Sequence, residues 1–381
     1  MNEFSANGRG PESMKKNGKL EFYRFVFCLA ILFYHMEKYL IGEPEYRGIG
    51  FGLVSHGSMG VEYFFMLSGF FLAKTALKRH SALSGVPLFS RESSSDSARF
   101  LLRKYLRIFP EHTVAFILTL IVNLFSRYTR GVLTPASSVF YLIDNFFSFF
   151  LLQMSGLLYA NANQIEWYLS AMLIAMAVIY PLCRRYYYGF TRCAAPLISL
   201  LILGSLYYTT GSLTTVGAWT PLGFKGLLRA FADIMLGTSA FELSRVISEK
   251  HISAGTVTVI GHLERISFLI IIVFMLSYMP KKYEFHVAAL ILVLLVCACS
   301  GKSRFDRLWN SRTVGFLGEF TLSIYLAQVA AINLIGALMG SFPITAQIAA
   351  CTLLTAVFAF AVRVLGRALD RRFFARLTES L

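Results

Sequence analysis

The sequence predicts an all-α membrane protein, a polytopic helical bundle of about ten transmembrane helices with one re-entrant or interfacial helix. The first observation is composition: of 381 residues, 56% are hydrophobic and 15% are charged, against roughly 25% charged in a typical soluble domain. The second is that apolar runs of about 20 residues, the length that crosses the hydrocarbon core, recur along nearly the whole chain. Because backbone groups in lipid must bond one another, such runs are expected to be helices.

Ten segments are predicted to span the bilayer. They are 20–40, 57–77, 108–126, 165–183, 194–209, 224–243, 265–280, 285–300, 315–337 and 345–366. An eleventh apolar segment, 139–158, contains Asp144 and Asn145. Lys and Arg concentrate on the cytoplasmic side of membrane proteins, and in this chain they do so only if 139–158 does not cross. That segment is therefore expected to be a re-entrant or interfacial helix on the outer side.

The same topology divides the chain into three parts. Residues 1–19 are predicted to be a cytoplasmic N-terminal tail, residues 20–368 the membrane domain, and residues 369–381 a basic cytoplasmic C-terminal tail. The first apolar run lacks a small-residue cleavage site, which favours a retained span over a signal peptide. The expected location is the plasma (inner) membrane. The loop from Ala73 to Arg107 contains the polar run SRESSSDS, which is expected to be flexible.

Charge and cysteine content argue against several other classes. The net charge is +15, but Lys and Arg lie between the apolar runs, which is typical of membrane topology rather than of nucleic-acid binding. The six cysteines form no CxxC pair, so the sequence indicates neither a metal site nor a disulfide framework, and no bound cofactor is expected.

Two ionisable residues in the first span are candidates for function, because such side chains are costly in a membrane. Arg24 and His35 are eleven positions apart, so they share one helix face and lie ~16.5 Å apart along its axis. That face would carry a cation near the cytoplasmic interface and a titratable base within the membrane. Each has an ordinary alternative, since Arg24 can reach lipid phosphates and His35 can be a packing residue.

The second span adds a carboxylate and a small-residue step. Glu62 is expected at the depth of His35, where it would hold the imidazole in one tautomer; the alternative is a glutamate wetted by lipid headgroups. Ser68 and Gly69 ordinarily indicate close helix packing, with Ser68 bonded back to its own helix.

The sixth span contains an ion pair by spacing. Arg229 and Asp233 are i,i+4 neighbours and so lie on one face of the predicted helix. Intramembrane pairs of this kind are found in functional sites and also as purely structural contacts, and the spacing does not separate the two.

Five motifs occur in a fixed order over residues 20 to about 366. They are Arg24-x10-His35, FFMLSGF (Phe64 to Phe70), RKYLRIFP (Arg103 to Pro110), EWYLSAMLIAMAVIYP (Glu166 to Pro181) and LGEFTLSIYLAQ (Leu317 to Gln328). Together they resemble acyltransferase family 3 of the membrane acyltransferases, and Glu21 stands where that family usually has an acidic residue. One departure is that Gln328 replaces a usual histidine. Because glutamine cannot accept a proton at neutral pH, its expected role is orientation, and general-base duty falls on His35.

The resemblance implies an acyl-CoA-dependent O-acyltransferase. The expected donor is cytosolic acyl-CoA, with acetyl-CoA as the first choice, and the expected acceptor is a hydroxyl of a surface polysaccharide or other glycan. Arg24, Arg103 and Arg107 are predicted to bind the CoA phosphates, which the planar guanidinium suits. His35, with Glu62 as its catalytic partner, would deprotonate the acceptor hydroxyl, or it would form a covalent acyl-histidine.

A supporting role for the acceptor or the site is assigned to Ser68, Trp167, Arg229, Asp233, Tyr325 and Gln328. Trp167 would face the outer side, where an aromatic surface suits a sugar ring. The second hypothesis is a proton-coupled transporter or flippase, with His35 and Glu62 as a proton relay. The ordered motifs, together with the absence of a visible internal repeat, favour the enzyme.

Overall fold

The computed structural model describes residues 17–42, 54–83, 85–132, 134–156, 162–214, 216–302 and 311–379. Most of these residues are helical. The α-helices are α1 (Gly18–Met36), α2 (Gly60–His80), α3 (Arg91–Thr129), α4 (Pro135–Asp144), α5 (Phe146–Phe149), α6 (Trp167–Arg185), α7 (Tyr187–Gly189), α8 (Ala195–Thr210), α9 (Lys225–Glu249), α10 (Ala254–Leu276), α11 (Glu284–Cys299), α12 (Arg312–Leu338), α13 (Ile344–Leu369) and α14 (Ala375–Glu379).

Shorter elements connect these helices. Turns of π-helix lie at Glu37–Ile41, Phe190–Ala194 and Asp370–Phe374, and 3₁₀ turns lie at Gly57–Met59, Gln153–Ser155, Gln164–Glu166 and Lys281–Tyr283. Strands β1 (Trp219–Thr220) and β2 (Gly223–Phe224) form an antiparallel hairpin in which Trp219 lies opposite Phe224. This hairpin leads directly into α9.

Seven of the described helical segments are long and apolar enough to cross a membrane. They are Arg91–Thr129, Gln164–Arg185, Tyr187–Thr210, Ala254–Leu276, Lys281–Cys299, Arg312–Leu338 and Ile344–Leu377. Each overlaps one of the spans predicted from the sequence. The predicted class, an all-α membrane helical bundle, is therefore confirmed, and the protein is integral to a membrane.

The other three predicted spans, 20–40, 57–77 and 224–243, correspond to α1, α2 and α9. These helices have 19, 21 and 25 residues, enough for roughly 30 Å at 1.5 Å per residue. They carry more than half of the candidate site residues, namely Arg24, His35, Glu62, Ser68, Arg229 and Asp233. The count of ten transmembrane helices stays a prediction.

Two glycines let α2 and α9 pack backbone against backbone. A Cβ added to Gly69 would lie 1.9 Å from the carbonyl oxygen of Ile234, and a Cβ added to Gly237 would lie 1.9 Å from that of Met66. Small residues at helix interfaces in membranes permit such close approach. Close packing is the structural meaning predicted for the Ser68–Gly69 step. Both helices also contact α6, while α1 and α3 pack against α12.

The apolar segment 139–158 does not form a spanning helix in its described part. The ten residues of α4 cover about 15 Å, half the hydrocarbon core, and Asn145 separates α4 from the single turn of α5. No residue of α4 is buried, whereas the carbonyl oxygen of Phe149 in α5 lies within hydrogen-bond distance, 2.9 Å, of His112 Nε2 in α3. This geometry agrees with a re-entrant or interfacial segment.

The polar run SRESSSDS (Ser90 to Ser97) caps and begins a helix, so the expectation that this run is flexible is wrong. α2 continues to His80, and α3 begins at Arg91, where the Ser90 side chain accepts a hydrogen bond from Ser93 N at 3.1 Å. Asp96 is buried and pairs with a guanidinium of α6 at 2.7 Å. A serine cap and a buried ion pair therefore order a sequence whose composition is typical of disorder.

The division into two tails and a membrane domain stays a prediction. Residues 1–16 of the predicted N-terminal tail lie outside the described residues. At the other end, the π-helical turn Asp370–Phe374 and α14 continue the helix of α13 into the predicted basic tail.

Candidate active site

Three adjacent cavities run through the bundle between the basic residues of α3 and the C-terminal end of α1. The first, here called the basic cavity, has a volume of about 220 Å³. Five cations line it, Arg79, Arg99, Arg103, Lys104 and Arg107. It therefore contains two of the three residues predicted to bind the phosphates of CoA.

The apolar cavity, of about 360 Å³, adjoins the basic cavity. The two share Ser68, Phe71, Lys104 and Arg107 as lining residues. Most of the remaining lining is hydrophobic, namely Ile31, Val61, Phe64, Leu67, Ile108, Leu169, Met172 and Leu322, and Arg24 is the one cation that this cavity adds. The third predicted phosphate ligand thus lies along the same series of cavities.

The histidine cavity is the largest of these three, at about 490 Å³, and it is lined by His35. It shares Ile31, Val61 and Tyr325 with the apolar cavity. The Tyr325 hydroxyl is anchored because it donates a hydrogen bond to the Ile165 carbonyl at 2.5 Å. These three side chains therefore separate the apolar cavity from the histidine cavity. Arg24 lines the apolar cavity and His35 lines the histidine cavity, on either side of that partition.

Gln328 fixes the tautomer of His35. The Gln328 amide nitrogen donates to the Tyr325 carbonyl at 2.9 Å, so its oxygen faces His35 Nδ1 at 3.1 Å and must accept. The proton of the neutral imidazole is consequently on Nδ1. Nε2 has no hydrogen-bond partner among the described residues and is the nitrogen able to accept a proton. Orientation is the role predicted for Gln328, and its catalytic importance stays a prediction.

Glu62 is not the partner of His35, which corrects the contact expected from their depths. Glu62 Oε1 accepts a hydrogen bond from Arg229 Nη2 at 2.5 Å, and both side chains are 1% exposed. The expectation failed because equal depth does not set direction. The close packing of α2 on α9 turns the carboxylate toward α9 rather than toward α1.

Asp233 is near this pair but does not make the predicted contact. Its carboxylate is fully buried, and neither oxygen has a hydrogen-bond partner among the described residues. Arg229 instead donates to Glu62 and, through Nη1 at 3.0 Å, to the Thr214 carbonyl. Spacing along one helix predicted the wrong pair because the stronger contact comes from the neighbouring helix.

Trp167 and Ser68 both belong to the cavity walls. Trp167 lines the histidine cavity, and the Arg229 guanidinium lies 5.3 Å from the centre of its ring. Ser68 is not bonded back to α2 as expected, because its hydroxyl faces α6, 3.4 Å from the Tyr168 hydroxyl and 3.3 Å from Met172 Sδ. Its side chain therefore joins two helices at the entrance to the apolar cavity.

Arg24 has a partner on its own helix. Its Nη1 donates to both carboxylate oxygens of Glu21 at 3.1 Å, and its side chain is 33% exposed. Glu21 in turn occupies space that Gly318 of α12 leaves open, because a Cβ there would lie 2.0 Å from the carboxylate. The first and last motifs of the chain therefore meet at this point and hold the guanidinium beside the apolar cavity.

A buried ion pair was missed by the sequence analysis. His112 Nδ1 lies 2.9 Å from Glu166 Oε1, His112 Nε2 lies 2.9 Å from the Phe149 carbonyl, and both ionisable side chains are fully buried. Two acceptors around one imidazole favour the doubly protonated ring. Asn163 also donates to Glu166, at 3.0 Å. This network fixes the turn that carries Gln164 and Trp167 into the histidine cavity. The sequence did single out one member of this pair, because Glu166 is the first residue of the fourth motif.

No group of three or more metal-ligating side chains occurs among the described residues. A family model for an acyltransferase domain, that of acyltransferase family 3, matches residues 17–364. The chain belongs to acyltransferase family 3. The resemblance carried by the five motifs is confirmed, and the protein is a membrane acyltransferase. No curated protein and no solved structure matches it. All of the candidate residues of this family 3 acyltransferase fall within the matched range.

Proposed function

We propose that this acyltransferase transfers an acyl group, with acetyl as the first choice, from cytosolic acyl-CoA to a hydroxyl of a surface polysaccharide or other glycan. The series of three cavities carries the proposal. It runs from a cluster of cations, through an apolar passage, to a histidine with one unbonded ring nitrogen. Acyl-CoA has matching groups in the same order: phosphates at one end, then a long arm, then the thioester.

The donor would lie with its phosphates in the basic cavity. Arg103 and Arg107 line that cavity, and Arg24 is the next cation along the path. Arginine binds phosphate through paired hydrogen bonds, each of them charge-assisted. The arm of the donor would then occupy the apolar cavity, which brings the thioester to the partition at Tyr325.

The chemistry at the partition needs one base. His35 Nε2 takes the proton of the acceptor hydroxyl as its oxygen attacks the thioester carbonyl. The new C–O bond forms, the C–S bond breaks, and the imidazolium returns the proton to the leaving sulfur, which gives an ester and the free thiol of CoA. General-base catalysis contributes typically 10²–10⁴-fold. The Gln328 hydrogen bond keeps Nε2 in its basic form without adding charge.

The covalent route uses the same nitrogen as a nucleophile. Nε2 would take the acyl group from the thioester, and the acceptor hydroxyl would then remove it. The two routes differ when the acceptor is withheld. An acyl-histidine would raise the mass of the protein by one acyl group after exposure to acyl-CoA, and His35→Ala would abolish that increase. Direct transfer leaves the mass unchanged.

The test of the proposed function is release of CoA thiol by the purified protein in lipid nanodiscs. Acetyl-CoA is supplied with a panel of soluble mono- and oligosaccharides, and the thiol is measured with a chromogenic disulfide. We expect release that depends on the acceptor and falls about 10²–10⁴-fold in His35→Ala. His262→Ala is the matched control, because His262 is exposed on α10 and lines none of the three cavities.

Two results would count against the proposal. If no saccharide releases thiol above the protein-free rate, acetyl-CoA and a glycan hydroxyl are not the substrate pair of this acyltransferase. If His35→Ala retains the turnover of His262→Ala, the protein is an acyltransferase with a different base.

A further inference from the structure

The histidine cavity is lined by cations that the proposed chemistry does not use. Lys38 follows His35 in the π-helical turn that ends α1, Lys281 begins the 3₁₀ turn before α11, and Arg229 comes from α9. No described residue that lines this cavity is an aspartate or a glutamate. Cations from three separate elements therefore line the histidine cavity.

The two lysines have no carboxylate partner among the described residues. Both are exposed, and Lys38 Nζ lies 5.8 Å from the centre of the Tyr39 ring. Nearby carboxylates are occupied elsewhere. Glu37 accepts from Val54 N at 2.8 Å, and Glu284 accepts from Leu213 N at 2.5 Å.

Arg229 offers a vacant donor rather than a free charge. Its charge is balanced by Glu62, and Nη1 and Nη2 are both bonded. Nε is buried and has no hydrogen-bond partner among the described residues. A buried polar group without a partner is costly, so this donor fits a ligand oxygen at the inner wall of the cavity.

These observations, which rest on the proposed function, point to the chemical class of the acceptor. We propose that the acceptor sugar carries a negatively charged group, a carboxylate or a phosphate, which Lys38 and Lys281 bind while Arg229 Nε donates to an oxygen nearer the reacting hydroxyl. A neutral sugar would leave both lysines without a counter-charge inside the histidine cavity. An anionic one offsets them and places a hydroxyl beside His35.

The test compares three soluble acceptors that share most of their hydroxyls: glucose, glucuronate and glucose 1-phosphate. Acceptor-dependent CoA thiol release is measured for each with the 381-residue protein in nanodiscs. We expect kcat/KM to be at least about tenfold higher for one or both charged sugars than for glucose. The charged sugar that is preferred identifies the anion, since glucuronate tests a sugar acid and glucose 1-phosphate tests a phosphorylated sugar.

Lysine variants test the assignment within the cavity. Lys38→Gln and Lys281→Gln should each lower the ratio of charged to neutral kcat/KM by roughly fivefold or more, and added salt should lower it in the unmodified protein. Lys282→Gln is the matched control, because Lys282 is the exposed neighbour of Lys281 and does not line the cavity. Its ratio should stay unchanged.

Equal use of the three sugars, or an equal loss in the Lys282 control, would overturn the inference while leaving acyl transfer intact. If no sugar supports thiol release, the proposed function fails, and binding alone decides the inference. At least one of glucuronate and glucose 1-phosphate should then still raise the melting temperature of the protein more than glucose does. That difference should disappear in Lys38→Gln and Lys281→Gln, and its persistence there would refute the assignment.

Discussion

Gln328→Leu tests how much of the activity of His35 depends on a single hydrogen bond. Leucine removes the acceptor at 3.1 Å from Nδ1 while filling a similar volume in a site that is fully buried. The imidazole is then free to rotate or to place its proton on Nε2, and in either case the base is lost for part of the time.

The size of the effect follows from the bond that is removed. A typical intramolecular hydrogen bond contributes about 0.5–1.5 kcal/mol net, which corresponds to a loss of roughly 2–13-fold in kcat. Removal of the base itself costs about 10²–10⁴-fold. Gln328→Leu should therefore fall clearly between the unmodified protein and His35→Ala.

The assay is CoA thiol release at saturating acetyl-CoA, with thermal unfolding in the same nanodiscs as a check on folding. Gln347→Leu is the matched control, since Gln347 is 7% exposed and its amide donates to the Phe342 carbonyl at 2.9 Å. It lines none of the three cavities, so it should lose stability without losing kcat. A Gln328→Leu variant as inactive as His35→Ala would show that Gln328 does more than orient the ring. Unchanged kcat would show that the hydrogen bond has no role.

Two further predictions concern the donor and the packing of the site. Arg24→Ala and Arg107→Ala should each weaken CoA binding, measured by calorimetry, by about 1.5–3 kcal/mol, the contribution of a hydrogen bond to a charged group. Arg376→Ala in α14 is the control and should leave the affinity for CoA unchanged. Equal affinities in all three variants would mean that the cavity arginines anchor the protein to lipid instead. Gly69→Ala should destabilise the protein by about 1–3 kcal/mol or more through overpacking against α9, seen as a lower melting temperature. Gly204→Ala is the control and should be neutral or stabilising, because a Cβ there meets no atom within 4 Å. If the two variants had the same melting temperature, the backbones of α2 and α9 would be able to separate without cost.

Much of the fold was accessible from the sequence because the membrane restricts the possible structures. Within the part of the chain that the structure describes, apolar length predicted the position of all seven helical segments that are long and apolar enough to cross. The distribution of Lys and Arg predicted that segment 139–158 does not span, and in the structure α4 is too short to do so. Composition wrongly predicted that the run SRESSSDS is flexible. It contains no information about which serine caps a helix or about the distant Arg184 that pairs with Asp96.

The candidate site was predicted as a set of residues but not as a set of contacts. Helical periodicity relates residues on one helix, so it placed Arg24 and His35 on one face. It carries no information about which face of α2 meets α9, and it therefore assigned Glu62 to His35 and Asp233 to Arg229. The glycines that set this approach, Gly69 and Gly237, lie in sequence patterns that predict close packing but not the partner.

Charges inside the bundle separate into two kinds once their partners are known. His112 with Glu166, and Glu111 with Arg363 at 3.1 Å, pair between helices and line none of the three cavities. Breaking such a buried pair typically costs 3–5 kcal/mol, so substitutions there would reduce activity through folding. His35 differs because it lines a cavity, has a neutral partner and keeps one nitrogen unbonded. An ionisable side chain within the membrane is therefore a candidate for catalysis only when it lines a cavity and its hydrogen bonds leave one atom free to react.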